Sequence, residues 1–223
     1  LGVAAPLRAG GALWLAVTPC LLGLPPPLAE AQTTTSGAED AGVLLEAKAA
    51  ADTSACTCIW GDCETDACPL DSWTADTEPC GDGYDSQGRG WVDVECDARG
   101  GRVVYVSLER TGVGGELLPF FGRLGALLVL SLGGNPALRG DVADLAGATE
   151  LRELQLNACP LMVGEAAALA ALVHLGERYT WTPDSPYSTG GAGGLYLVGS
   201  GVHGPVAALR ALPGLRLASL GAD

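Results

Sequence analysis

Apolar residues in the second half of the chain recur at a fixed interval of 24 residues. The recurring pairs are Val106/Leu108, Leu130/Leu132 and Leu154/Leu156. Alternation within each pair predicts a short β-strand with one buried side, because successive side chains point to opposite faces. Gly115, Gly140 and Gly164 follow the pairs and let the chain turn back, and Leu161 takes an apolar frame position in the third copy. Such repeats stack into a solenoid whose neighbouring turns share one core.

A fourth copy of the repeat is interrupted by an insertion. Leu172 and Leu175 open this copy, but its strand pair appears late, as Leu195 and Leu197. The residues between them, 176–194, are inserted, and the frame resumes afterwards. Each doubling of a loop's length costs only ~0.6 kcal/mol, so we expect the solenoid to tolerate this insertion.

The insertion carries side chains that suit contact with a partner. Arg178, Tyr179, Trp181 and Tyr187 lie in it among glycine and proline residues. Tyr, Trp and Arg are the usual anchors of protein interfaces. The alternative is that these rings pack back onto the repeat as a satellite cluster. The sequence leaves both readings open.

Composition divides the chain into four segments. They are a signal peptide at 1–31, a linker at 32–38, a Cys-rich segment at 39–101, and repeats at 102–223, about five with the fourth interrupted and the last incomplete. Arg8 precedes an apolar run that ends in the small-x-small pattern Ala29-Glu30-Ala31, which is typical of signal-peptide cleavage. An Ala- and Leu-rich stretch predicts a short helix over about 39–51.

Charge and cysteine content restrict the environment and the partners. The formal net charge is −14, so the surface repels nucleic-acid phosphates and anionic membranes. Six of the eight cysteines lie between residues 56 and 96, a density typical of an oxidising compartment. We therefore expect a secreted or cell-surface protein, or alternatively a protein of an organelle lumen. No stretch beyond the leader is long and apolar enough to predict a membrane span.

The repeat resembles the leucine-rich repeat, and its length is that of the plant-type form. The stretch VVYVSLERTGVGGELLPFFGRLGALLVLSLGGNPALRG, residues 103–140, carries this resemblance. The Cys-rich segment resembles the plant-type N-terminal cap. Its matching features are Leu44-Leu45 with Lys48, Trp73, Pro79-Cys80 and the element WVDVEC at 91–96. Asp93 stands where that family usually has glycine.

The resemblance implies an α/β fold, a leucine-rich repeat solenoid. Short parallel strands would form its concave face, irregular, 3₁₀ or helical segments its convex side, and a small helical, disulfide-bonded cap its N-terminal end. In such repeats one polar side chain per turn bonds backbone groups of the neighbouring turn, as buried amides and carbonyls require. This ladder position is held by Thr111, Asn135, Cys159 and Ser200. In the cap we expect a disulfide between Cys80 and Cys96.

The four remaining cap cysteines leave two possibilities. Cys56, Cys58, Cys63 and Cys68 form either two further disulfides of unknown connectivity or a four-thiolate zinc site. Their spacing, C-x-C-x4-C-x4-C, differs from the paired C-x2-C units of zinc ribbons. Disulfides are therefore favoured, and no metal site is predicted.

The concave face is the best candidate for function. By register, its outward side chains include Tyr105, Ser107, Glu109, Ser131, Glu153, Gln155, Asn157 and Tyr196. With the 176–194 loop they predict a binding module for a protein, peptide or cell-wall saccharide. The alternatives are an ectodomain fragment of a receptor-like kinase and a structural subunit of an extracellular assembly that docks through its C-terminal repeat edge. His174 and His203 pair with no nucleophile by any motif, so no enzyme and no cofactor are predicted.

The ladder position predicts the reactivity of Cys159. We expect its thiol to be buried and reduced, and therefore to resist thiol reagents in the folded protein and to react after denaturation. Labelling with a maleimide, followed by mass spectrometry of the native and the denatured chain, measures this. Rapid labelling of the native protein, or a bridge to a cap cysteine, would show that the register is wrong.

Overall fold

The strands predicted from the 24-residue interval are confirmed, and they pair in parallel from one turn to the next. A computed structural model describes residues 37–57, 68–80, 90–97, 101–179, 191–212, 214–215 and 218–219. The predicted signal peptide at 1–31 lies outside them and stays a prediction. Helix α1 spans Gly37–Ala50, close to the predicted 39–51, and helix α2 spans Leu118–Phe121.

Two parallel sheets run through the described repeats. The strands in chain order are β1 (Ala51–Asp52), β2 (Val94–Cys96), β3 (Val103–Ser107), β4 (Gly114–Glu116), β5 (Val129–Ser131), β6 (Leu138–Asp141), β7 (Glu153–Gln155), β8 (Leu161–Glu165), β9 (Gly194–Tyr196), β10 (Gly201–His203) and β11 (Ala218–Ser219). The first sheet has the order β11-β9-β7-β5-β3-β2, and the second β1-β4-β6-β8-β10. The connecting 3₁₀ helices are Pro69–Ser72, Val142–Leu145, Ala166–Ala171 and Val206–Ala211.

The N-terminal cap closes both sheets at their first strand. Strand β2 pairs antiparallel with β3, and β1 pairs antiparallel with β4, whereas the later neighbours in both sheets are parallel. The open end of a stacked core would otherwise expose its leucines and its strand edge to water. The cap therefore supplies one terminal strand to each sheet.

The inward side chains of the first sheet form the core. Val106, Leu130, Leu154 and Leu195 lie in one row of that core and have no exposed surface. Leu108, Leu132, Leu156 and Leu197 form the next row, at most 5% exposed. Burial of one such side chain stabilises the fold by about 1.5–3 kcal/mol, so the interval that aligns these rows also stabilises the stack.

The cap is organised by two tryptophans. Trp73 and Trp91 stack with ring centroids 5.6 Å apart. The Trp73 Nε1 donates to the Val92 carbonyl at 3.1 Å, and the Lys48 Nζ donates to the Trp73 carbonyl at 2.9 Å. Lys48 and Trp73, both named by the cap resemblance, thus join helix α1 to the segment that leads into β2.

A buried carboxylate connects the cap to the first repeat. Asp40 of α1 is 1% exposed, and its Oδ2 accepts from the Arg102 Nε at 2.8 Å and from the Val103 backbone N–H at 3.0 Å. Removal of one partner of a buried ion pair is destabilising by about 3–5 kcal/mol. Asp40 therefore fixes α1 against the start of β3.

The ladder side chains satisfy carbonyl groups that point into the core. Asn135 is fully buried, and its Nδ2 donates to the Leu108 carbonyl of the preceding turn at 2.6 Å and to the Leu132 carbonyl of its own turn at 2.7 Å. Its Oδ1 accepts from the Gly112 N–H at 2.9 Å. The same side chain therefore bonds two successive turns.

The other ladder residues have fewer donors and make fewer bonds. Thr111 and Ser200 each donate to a carbonyl three residues earlier, at 2.9 and 2.8 Å. Cys159 is free and fully buried, and its Sγ contacts the Leu132 carbonyl at 3.2 Å. It occupies the position of a donor, as the repeat frame predicts.

The residue before each ladder position adopts a left-handed backbone conformation. Arg110, Gly134, Ala158 and Gly199 have φ of 55°, 75°, 55° and 72°. This conformation costs an L-residue roughly 1 kcal/mol and costs glycine almost nothing. Each copy thus keeps the left-handed turn, even where the residue is Arg110 or Ala158 and not glycine.

The second sheet was not among the sequence predictions. Its strand β8 changes which residue of the third repeat copy is assigned to the core. In β8 Met162 is fully buried and Leu161 is 51% exposed. The frame position given to Leu161 is therefore wrong by one residue. Because side chains alternate along a strand, a shift of one residue reverses which of them face the core.

The ladder predicts an unequal effect of the same substitution at the two asparagines. Asn135→Ala should lower the free energy of unfolding by about 2–4 kcal/mol, because three backbone groups lose a hydrogen-bond partner. The Leu108 and Leu132 carbonyls each lose one of their donors, and the Gly112 N–H loses its acceptor. Asn157→Ala, on the exposed side of the sheet, should cost less than about 1 kcal/mol. Urea unfolding followed by circular dichroism measures both. Equal losses at the two positions would contradict the ladder.

Candidate functional site

The outward side chains of the first sheet form a concave face made of aligned rows. Register pairs Tyr105 with Val129 and Val129 with Glu153, and it pairs Glu153 with Gly194. The next row contains Ser107, Ser131, Gln155 and Tyr196. A third row beyond the strands contains Glu109 and Asn157. The predicted face is thus assembled as one surface across four turns.

Two positions of this face are covered. Val129 is 3% exposed and Ser131 is 4% exposed, although both face outwards. Larger neighbours, among them Tyr105 and Glu153 on the flanking strands, stand on either side of Val129. Ser131 was proposed to contact a ligand, but it is buried and offers its hydroxyl to Glu109 at 3.5 Å instead. Neither side chain is available to a ligand in this structure.

The two ends of the insertion lie side by side on the solenoid and form what we call its closed base. The Arg152 carbonyl accepts from the Gly176 N–H at 2.8 Å and from the Gly194 N–H at 3.1 Å, and these two glycines stand at the ends of the insertion. Arg178 then pairs antiparallel with Ala192. The strand β9 after the insertion keeps its register with β7. The insertion therefore interrupts the sequence of the repeat and not its stacking.

Tyr179 brings the base of the insertion onto the concave face. Its hydroxyl donates to Glu153 Oε2 at 2.7 Å, and it is 8% exposed. A side chain at Gly191 would collide with this ring, so glycine there allows the close approach. Burial, together with the Glu153 carboxylate, raises the pKa of Tyr179 above its ordinary value, and the hydroxyl remains a donor. Tyr179 therefore packs back onto the repeat, the second of the two predicted possibilities.

Glu153 is the centre of this arrangement. Its Oε1 accepts from the Gln155 Nε2 at 2.6 Å, so each carboxylate oxygen has a neutral donor. The half-buried ring of Tyr196 lies over Gly194, where an added Cβ would be 2.9 Å from the ring carbon Cε2. Gly194 is the register partner of Glu153, so this ring stands beside the carboxylate. We name Tyr105, Glu153, Gln155, Tyr179 and Tyr196 the tyrosine–glutamate cluster.

Acidic side chains adjoin the cluster on the cap side. Burial, with smaller contributions from the charges of Asp93, Glu95 and Glu109, raises the pKa of Tyr105. Glu109 lies 3.5 Å from the Nε of the exposed Arg110. The concave face thus combines aromatic hydroxyls with carboxylates.

Asp93 is a feature of the face that the sequence-based candidates did not include. Its φ is 62°, which explains why the resembled family has glycine at this position. Burial raises the pKa of its carboxyl group from 3.8 to about 6. The sequence did contain a signal for Asp93, because an aspartate stands where the resembled family usually has glycine. A carboxylate at such a position requires a special environment.

The remaining candidates lie elsewhere or outside the described residues. Disulfides join Cys80 to Cys96, the pair expected from the cap resemblance, and Cys56 to Cys68. Outside the described residues lie Cys58, Cys63, Trp181 and Tyr187. The histidines pair with carboxylates on the surface, His174 with Glu177 at 3.1 Å and His203 with Glu165 at 3.4 Å.

Asp93 predicts a pH dependence of stability. Its folded-state pKa lies above the unfolded value, so the native state binds the proton more tightly, and the free energy of unfolding falls as pH rises from about 4 to about 6. Asp93→Asn should raise the free energy of unfolding at pH 7 by about 1–2 kcal/mol, after allowance for partial exposure, and change it little at pH 4. Thermal and urea unfolding at the two pH values measure this.

Asp76→Asn is the matched control, since Asp76 is an exposed carboxylate of the cap. It should leave the pH profile unchanged. A gain from Asp93→Asn that is the same at pH 4 and at pH 7 would contradict the role of the charge.

Comparisons with known proteins agree with this architecture. The leucine-rich repeat ectodomain of the receptor kinase GASSHO1/SCHENGEN3 from Arabidopsis thaliana, solved in complex with CASPARIAN STRIP INTEGRITY FACTOR 2, aligns with 26% identity and a TM-score of 0.52. It covers 80% of this chain, which spans 18% of that ectodomain. A plant ice-binding protein aligns with 21% identity and a TM-score of 0.51, covering 83% of this chain and 48% of its own length.

The likeness to the ice-binding protein shows the fold alone. Neither a protein-family model nor a curated protein matches the sequence. Within the described residues no helix is long and apolar enough to cross a membrane. The paired sheets, the polar ladder, the cysteine cap and the receptor-ectodomain likeness agree with one another. The chain has the fold of the plant leucine-rich repeat ectodomains, with a disulfide-bonded cap at its N-terminal side.

Proposed function

We propose that this chain is an extracellular binding module that recognises a protein or peptide through its concave face and the base of the 176–194 loop. The disulfides Cys56–Cys68 and Cys80–Cys96 support an oxidising compartment. The related GASSHO1/SCHENGEN3 ectodomain was solved with a bound partner, which supports a binding role. No catalytic activity is part of this proposal.

The observation that carries the proposal is the preorganised tyrosine–glutamate cluster. Glu153 and Gln155 belong to β7, which is bonded on both sides to neighbouring strands. Tyr179 is fixed to Glu153 from a separate part of the chain. Groups held in place before binding lose little freedom when a ligand arrives, which favours affinity. A surface that only contacts solvent does not require such support from a distant part of the same chain.

A second candidate is that the chain is part of the ectodomain of a receptor-like kinase. The likeness to GASSHO1/SCHENGEN3 favours it, and the chain spans 18% of that ectodomain. The concave face would have the same binding role in that case. Recognition of a saccharide and docking through the C-terminal repeat edge stay predictions from the sequence.

Site-specific photo-crosslinking tests the proposed face. A photoreactive amino acid replaces Asn157 on the concave face or the exposed Ala143 in the 3₁₀ helix Val142–Leu145. The purified chain is then incubated with secreted peptides and proteins from the cells that export it. We expect defined adducts from position 157 and none from position 143, because a ligand seated on the concave face reaches only the first.

Two controls make this result interpretable. An excess of protein without the photoreactive group should compete away adducts of a specific ligand. Adducts that are equal at both positions, or stronger at position 143, would place binding elsewhere and reject the concave face.

A further inference from the structure

The chemistry of the ligand can be inferred from the way Glu153 is held. Tyr179 and Gln155 donate to its two oxygens at 2.7 and 2.6 Å, and both donors are neutral. Such bonds fix the orientation of the carboxylate and bring no positive charge to it. The arrangement is therefore that of an oriented anion without a neutralising partner.

No counter-ion for Glu153 occurs in the part of the chain that the structure describes. Each ion pair there involves another carboxylate, and no Lys, Arg or His nitrogen lies within 4.0 Å of Glu153. The neighbouring Arg152 directs its Nη1 to the Arg178 carbonyl at 2.7 Å. A half-buried charge interacts more strongly with an opposite charge than an exposed one does, so the position favours a cation from outside.

An aromatic wall adjoins this carboxylate. Tyr196 stands beside Glu153, because its ring lies over Gly194. Burial, and next the Glu153 charge, raises the pKa of Tyr196, so the ring stays neutral. A cation over the face of a tyrosine ring is attracted by the ring quadrupole. Carboxylate and ring together are the groups that receive a guanidinium or an ammonium ion.

The surrounding face is complementary to a basic, extended ligand. Besides burial, the charges of Asp93, Glu95 and Glu109 contribute to the raised pKa of Tyr105. The whole chain has a formal net charge of −14. The exposed Arg110 is paired with Glu109. Such a field attracts cationic segments and repels anionic ones. Ser107, Gln155 and Asn157 offer further polar groups along the same rows.

We propose that the tyrosine–glutamate cluster binds an arginine or lysine side chain of an extended peptide segment, with Glu153 as its counter-ion and Tyr196 as its aromatic wall. The inference rests on the proposed function, since it names the ligand of that same face. Tyr179 and Gln155 are positioning residues, because they act through the Glu153 carboxylate.

Matched peptide libraries test the proposal on the full chain. Four fluorescent decapeptide libraries share a randomised sequence of uncharged residues and carry arginine, lysine, citrulline or glutamate at one central position. Citrulline has the shape of arginine without its charge. We expect the arginine and lysine libraries to bind at least tenfold more tightly than the citrulline and glutamate libraries in fluorescence anisotropy.

Two charge-removing variants locate the effect. Glu153→Gln keeps an acceptor for the Tyr179 hydroxyl and should retain the fold, which circular dichroism checks. It should reduce the preference for arginine over citrulline to less than threefold. Glu116→Gln removes an exposed carboxylate of the second sheet and should leave that preference unchanged.

Each contrary outcome has a separate meaning. Equal binding of the arginine and citrulline libraries would overturn the inference, and so would a Glu153→Gln variant that keeps the preference, or the absence of binding by the arginine library. In all three cases the photo-crosslinks from position 157 decide the proposed function separately. Crosslinks there would leave a binding module that does not recognise its ligand through a cation at Glu153.

Discussion

A carbonyl oxygen that turns into a leucine core must find a donor, and this requirement sets the geometry of the whole repeat. Asn135 meets it for two successive turns, because one amide group donates to both Leu108 and Leu132. These bonds and the pairing of β3 with β5 hold the two turns in one register. The rows of the concave face, and therefore the neighbours of Glu153, depend on this register.

The parts of the fold that follow from local periodicity could be predicted from the sequence. The strands and the buried leucine rows repeat at one interval, and the ladder position recurs with them, so each copy supports the reading of the others. The second sheet has a weaker signal, because its strands contain glycines and few large side chains. The choice between Leu161 and Met162 depends on strand alternation, which one frame position cannot determine.

The site was predictable as a surface and not as a set of contacts. The outward register of Tyr105, Glu153 and Gln155 follows from alternation along the strands. The bond from Tyr179 to Glu153 joins residues on either side of a loop boundary, and no periodic rule places them together. The burial of Ser131 depends on the size of its neighbours in space. Asp93 carried a signal in its departure from glycine, but its environment became evident only with the structure.

The closed base of the insertion has a consequence for how this protein can diversify. The Arg152 carbonyl binds both Gly176 and Gly194, so the two ends of the insertion are joined before the inserted chain begins. The length and sequence between those ends are then uncoupled from the stacking of the turns. Evolution, or a protein engineer, can therefore exchange the residues between Tyr179 and Gly191 and retain the solenoid, while Tyr179 still orients the Glu153 carboxylate beside the exchanged segment.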